Sequence, residues 1–206
     1  GFVTRLWASR KIAELIELVR QMGADPNIGK ENPRVKELTD EIIRLSTEFG
    51  ILTEYTAFLA REGTELNNLS QVRRDTSRAL EQRAMRTRSG LGGVNQSYNF
   101  IQMKEAGNLN YRNEYYDSDM NRASISNVQQ INDSAYYRKN NRCIDSRLVN
   151  KKESEIKADK IIKFGSDEFF ELTEKLAREN RQGSIAAGGD VMLMVDGKTF
   201  LVKMPR

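Results

Sequence analysis

Histidine is absent from this chain, and that gap closes several chemistries at once. Ser-His-Asp and Cys-His catalysis need an imidazole base. Imidazole-based zinc and iron sites need one as a ligand. Cysteine is nearly absent as well. Cys143 is the single one, so no internal disulfide forms, and its commonest role is that of a small half-buried hydrophobe. Among metal sites, only a carboxylate-rich site for a hard cation stays open. Long apolar runs are missing too: none approaches the roughly 18 residues of a membrane span. No secretory signal opens the chain, which in a fragment leaves its destination open. Apolar residues make up 38% and charged residues 30% of 206 positions, a modest core by globular standards. The length suits one domain or two small ones.

What charge there is has a location. The net charge is +4, and residues 73–88 carry it: Arg73, Arg74, Arg78, Arg83, Arg86 and Arg88 stand against Asp75 and Glu81 alone. The remaining surface is balanced. Six arginines on one helix suit phosphates or polysaccharide carboxylates. At about 100° per residue, however, they spread around the helix. A solvated or partner-contacting helix is the favoured reading, and nucleic acid is disfavoured.

Periodicity supplies the elements. Ile12, Leu15, Ile16 and Val19 form one helical stripe, ended by Gly23 and Pro26. Pro33 suits a first helical turn. Val35, Leu38, Ile42, Leu45 and Phe49 continue from it to Gly50, a C′ stop. The pair predicts an antiparallel helical hairpin over about residues 3–49. The β-branched and aromatic run 51–59 predicts an extended segment. Residues 65–88, with Leu66, Leu69, Val72, Leu80 and Ala84, predict a helix with a narrow buried face. Residues 89–93 predict a glycine hinge, 95–106 a short helix, and 107–127 a polar loop or link. Strands are expected at 125–131, 134–138 and 142–148, with Asn140-Asn141 as a tight turn, and at 160–164. A helix over 167–179, N-capped by Ser166, carries Phe170, Leu172, Lys175 and Leu176 near one face. Asp196-Gly197 between 191–195 and 198–202 predicts a type I′ hairpin.

Three short patterns hint at chemistry, and each has a plainer reading. Asp117-Ser118-Asp119-Met120-Asn121 starts like a calcium loop. Arg122 and Val128 stand where that loop needs Gly and Glu, so an Asx-turn is favoured. Ser154-Glu155-Ile156-Lys157 matches Ser-x-x-Lys but lacks its companion motifs and reads as a solvated loop. Gly90-Leu91-Gly92-Gly93 lacks the Lys-Ser/Thr of a phosphate loop.

Two stretches carry a likeness to a known family. The opening Phe2-Val3-Thr4-Arg5-Leu6-Trp7-Ala8-Ser9-Arg10-Lys11-Ile12 resembles the segment just after the A domain in proteins that pair a VIT domain with a von Willebrand factor A domain, the inter-alpha-trypsin inhibitor heavy chains among them. Asp40-Glu41-Ile42-Ile43-Arg44-Leu45-Ser46 followed by Phe49-Gly50-Ile51-Leu52-Thr53-Glu54-Tyr55-Thr56-Ala57 is similar to the same region. It departs from the family at Glu54, where Pro is expected, and at Ala57, where Ser is expected. More loosely, Ala135-Tyr136-Tyr137-Arg138-Lys139-Asn140-Asn141-Arg142-Cys143-Ile144-Asp145-Ser146 and Phe164-Gly165-Ser166-Asp167-Glu168-Phe169-Phe170 resemble the ends of bacterial members, which carry Trp at the position of Cys143. The metal-binding Asp-x-Ser-x-Ser of the A domain is absent.

The expectation is therefore an α+β chain. A helical post-A-domain segment covers 1–62, a basic helix and polar linker 63–123, and a small β-rich unit with one helix 124–206. The likeness implies that the chain follows the A domain and begins where the recognised domains stop. It implies a non-enzymatic scaffold or interaction region of an extracytoplasmic bacterial protein, packing against upstream VIT and A-type domains or against its own copy. Trp7, Tyr55 and Phe58 serve as core or as the docking face. The alternatives are polyanion binding through 73–88 and an enzyme built on carboxylates. No catalytic, metal or cofactor residue is assigned.

Overall fold

The computed structural model describes residues 2–25, 27–28, 31–61, 64–131, 134–139, 141–149, 151 and 156–205. The class is α+β, as expected. Pro26, Asn140, Ser154 and Glu155 lie outside the described residues, and with them the expected Asn140-Asn141 turn and the Ser-x-x-Lys pattern.

α1 (Phe2–Met22) and α2 (Pro33–Phe49) form the helical hairpin. Asn32 caps α2 by accepting from the Arg34 N–H, Pro33 fills the first turn, and Gly50 closes it at φ 64°. That left-handed position favours glycine. A Cβ there would also lie 2.6 Å from the Ala135 Cβ, so the helix stop is where the hairpin meets the sheet. Ile12, Leu15, Ile16 and Val19 pack against Leu38, Ile42, Leu45 and Phe49, joined by Tyr55, Leu80 and Met85.

The run after Gly50 departs from expectation. It is not a strand but a turn leading into the short 3-10 helix Ala57–Ala60. Two threonines divert it: the Thr56 hydroxyl accepts from the Thr53 N–H, and the Thr53 hydroxyl accepts from the Tyr55 N–H. Such local bonds compete with strand pairing. α3 (Leu69–Ala79) runs directly into a π-type turn, Leu80–Met85. Its buried face is narrow, through Val72, Thr76, Leu80 and Ala84; Leu69 stands exposed. The expected glycine hinge is instead the first turn of α4 (Gly90–Glu105). The expected polar link contains a small hairpin of β1 (Tyr115–Tyr116) and β2 (Arg122–Ala123).

The remaining strands are β3 (Val128–Ile131), β4 (Ser134–Lys139), β5 (Arg142–Asp145), β6 (Lys160–Lys163), β7 (Asp190–Val195) and β8 (Lys198–Lys203). They form a six-stranded mixed sheet in the order β3-β4-β5-β7-β8-β6, parallel at β5/β7 and at β8/β6. Asp196 and Gly197, at φ 49° and 75°, make the expected I′ turn. Alternation splits the sheet. Tyr137, Ile144, Met192 and Leu201 face the helices, whereas Tyr136, Cys143, Val191 and Leu193 face α5 (Asp167–Arg178). Cys143 is fully buried rather than half-buried. On α5 the buried side chains are Phe169, Leu172 and Leu176. Phe170, one step of about 100° away, is exposed, which corrects the expected face.

One hydrophobic cluster crosses both expected domain boundaries. It joins Ile43, Leu52 and Leu59 to Leu66 and Val72, and these to Val128, Ala135, Tyr137 and Ile144. The divisions near 62 and 123 therefore fall inside a continuous packed body.

Candidate interaction face and buried polar latch

α4 is built inside out. Its inward positions are polar but for Met103, which packs on the helical core: Asn95 and Gln96 are buried, and Asn99 is half-buried. Its apolar residues Leu91, Val94, Tyr98 and Ile101 recur at i, i+3, i+7 and i+10, one stripe of about 80°, and are 58%, 56%, 44% and 48% exposed.

What the polar face grips is Glu54, whose side chain is 1% exposed. Asn95 Nδ2 and Asn99 Nδ2 each donate to its carboxylate at 3.0 Å. The same two amides donate to the Tyr116 carbonyl at 3.0 and 2.8 Å, and the Tyr116 N–H returns a bond to Asn99 Oδ1 at 2.8 Å. Arg83, turned inward by the π-type turn, pairs with Glu54 at 2.5 Å. The Tyr55 hydroxyl donates to Gln96 Oε1 at 2.6 Å, and Gln96 Nε2 donates to the Thr87 and Gly92 carbonyls. Burial, helped by the neighbouring Glu54 charge, pushes the Tyr55 hydroxyl far above its ordinary range, so it stays neutral. Tyr115 shifts the same way, by burial and then Glu54. Glu54 is thus a buried anchor for α4.

The expected site residues separate. Tyr55 lies in the helical core, so it is not surface for a partner. Phe58 packs against the second cluster. Trp7 alone is open, at 52%. The arginines separate too. Arg73 holds Asp40 through two bonds. Arg74 donates to Gln71, Arg78 pairs with Asp75, Arg86 pairs with Glu81, and Arg88 donates to the Arg20 carbonyl. Arg83 is committed to Glu54. Each of the six is engaged within the chain, although five remain exposed on the surface.

Carboxylates that could do acid-base work are likewise engaged: Glu54 as above, and Glu114 by Arg122. The 117–121 loop forms the expected Asx-turn, Asp117 Oδ1 accepting from the Asp119 and Asn121 N–H groups at 2.9 Å. These backbone bonds hold the Asp117 carboxyl below its ordinary value. Among the described residues no group of three or more Asp, Glu or Cys side chains is placed to hold a metal ion. No helix of the described residues is long and apolar enough to cross a membrane.

Sequence reasoning missed Arg5, Glu54, Asn95, Gln96, Asn99 and Asn113. For Arg5 a signal existed: it sits three residues before Ala8 and seven before Ile12, on the buried stripe of α1, and is itself 1% exposed. For Asn95 and Asn99 the i, i+4 spacing marked a shared face but not its direction. No protein-family model matches this chain, and neither does any curated protein or solved structure.

Proposed function

We propose that the chain is a non-enzymatic interaction module that binds another protein through the outer face of α4. The observation that carries this is the inverted helix, with Leu91, Val94, Tyr98 and Ile101 in solvent while amides face inward. A contiguous apolar stripe on a surface helix is a recognition feature, and grooves take such stripes at i, i+3 and i+7 spacing. Trp7 adds an exposed aromatic on α1, the helix packed beside α4. The engagement of Glu54 and Glu114 with arginines supports a structural use of those carboxylates.

The likeness of residues 2–59 to the region after an A domain supplies the partner. In this reading α4 and Trp7 brace upstream VIT and A-type domains of an extracytoplasmic bacterial protein. Light scattering of the chain, alone and mixed with those domains, tests it. A one-to-one complex that is lost in the Leu91→Ser, Val94→Ser double variant supports the proposal. A monomer that ignores those domains overturns that partner, and concentration-dependent dimers lost in the same variant would make a second copy the occupant. Salt-sensitive retention on heparin, lost when Arg73, Arg74 and Arg78 become Gln, would move the function to the arginine stretch instead.

A further inference from the structure

Beside α4's polar row, with Glu54, Gln96 and Asn99 in its wall, lies a cavity of about 670 Å³ between α1, α4, the turn after Gly50 and residues 108–116. That volume is in the range of small-molecule sites. Leu6, Ala13 and Ile16 of α1, with Ile51 and Met103, supply an apolar wall. Arg5, Asn113 and Gln130 supply a polar end.

The polar end is a defined chain of bonds. The Arg5 guanidinium donates to Gln130 Oε1. Gln130 Nε2 donates to the Gly50 carbonyl at 2.9 Å and to Asn113 Oδ1 at 3.2 Å. The Leu52 N–H donates to the same Asn113 oxygen at 2.9 Å. A backbone N–H donates and never accepts, so the Asn113 amide has one orientation. Its Nδ2 is then turned away from both donors, and it is a buried donor without a partner among the described residues. Asn113 itself is 1% exposed and held at φ 46°, in the left-handed region. Buried donors are kept paired in folded proteins, and one left over calls for an explanation.

We propose that this cavity binds a small amphipathic molecule whose carbonyl oxygen accepts from Asn113 Nδ2 while its apolar body lies along α1. The charged wall is balanced, with Arg5, Arg20 and Arg122 against Glu54, Glu105 and Glu114. Balance favours an uncharged head, an amide or ester carbonyl, over a phosphate or an ammonium group.

The test uses the full chain labelled with nitrogen-15 and octanamide as the probe, with octylamine as a same-length control lacking the acceptor. The Asn113 side-chain amide signal is assigned by its loss in Asn113→Asp. That variant keeps the oxygen facing Leu52 and suits the left-handed backbone. The expected result is a saturable shift of the Asn113 amide signal with octanamide, weaker binding of octylamine, and a loss of about tenfold in octanamide affinity in Asn113→Asp. Ser9→Trp, which fills the cavity from its half-buried wall, abolishes the shift while the amide signal persists, so the outcome holds even where Asn113→Asp folds poorly. An unmoved amide signal at saturating octanamide means that the cavity holds water only, and overturns the proposal. Equal affinity for octylamine overturns it as well. Tyr98 and Ile101 of the docking stripe also line the cavity, but Leu91 and Val94 do not, so the Leu91→Ser, Val94→Ser variant separates the docking result from the ligand result.

Discussion

α4 and α5 are both surface helices with an apolar stripe, and they use it in opposite ways. α5 follows the usual design. Ser166 accepts from the Phe169 N–H at 3.3 Å, Asp167 and Glu168 open it, Lys175 and Arg178 close it, and Phe169, Leu172 and Leu176 pack onto the sheet. The charges suit the helix dipole, and burial holds the helix down. α4 shares only a basic last turn, through Lys104: Ser89 makes no capping bond, no acid sits in its first turn, and its apolar stripe is outside. Hydrogen bonds hold it instead: Asn95 and Asn99 donate to Glu54 and Tyr116, and Gln96 accepts from the Tyr55 hydroxyl. A helix fastened by its polar side keeps its apolar side available to something else.

The comparison breaks first at Leu176, which is fully buried. Leu176→Ala costs about 2–5 kcal/mol in denaturant unfolding; a cost near zero would mean that α5 is not held by apolar burial. Glu54→Ala removes the anchor of α4 and strands Arg83 and two amides. The expected cost is about 2–3 kcal/mol, with hydrogen exchange in α4 accelerated more than in α5. Uniform acceleration in both helices would refute a local latch.

The caps give a sharper pair. Ser166→Ala costs about 1 kcal/mol, whereas Ser89→Ala, at a position without a capping bond, leaves unfolding unchanged. Equal costs would erase the contrast. Smaller still is the effect of pH on Cys143, which lies in the layer beneath α5. Burial raises its thiol above the ordinary value, and Arg138 pulls it partly back. The folded state therefore favours the neutral thiol. Its contribution is whole below the unfolded value and is lost as pH rises through the folded one. Stability falls as pH rises past the ordinary thiol value of about 8.5, and falls less in Cys143→Ala, where an equal fall would assign the pH effect to other groups.

Much of the architecture was legible because it rests on periodicity and turn chemistry. Pro33 and Gly50 bound α2, Ser166 starts α5, and Asp196-Gly197 turns the last hairpin. What stayed hidden involves direction and distance. A stripe of Leu91, Val94, Tyr98 and Ile101 is visible in sequence, but which side faces the core depends on Glu54, some forty residues earlier. The threonine turn at 53–56 overrode the β propensity of its neighbours. The divisions expected at 62 and 123 are spanned by the cluster that Leu59, Leu66 and Val128 share, and packing between distant segments leaves no local mark. The cavity was hidden for the same reason, since Arg5, Asn113 and Gln130 meet only in the fold.

The orientation of α4 is the claim on which the rest depends, and unfolding of the Leu91→Ser, Val94→Ser double variant measures it most directly. With both side chains in solvent, the stability stays within about 0.5 kcal/mol of the parent. A loss of about 2 kcal/mol or more would place these residues in the core and contradict the inverted helix.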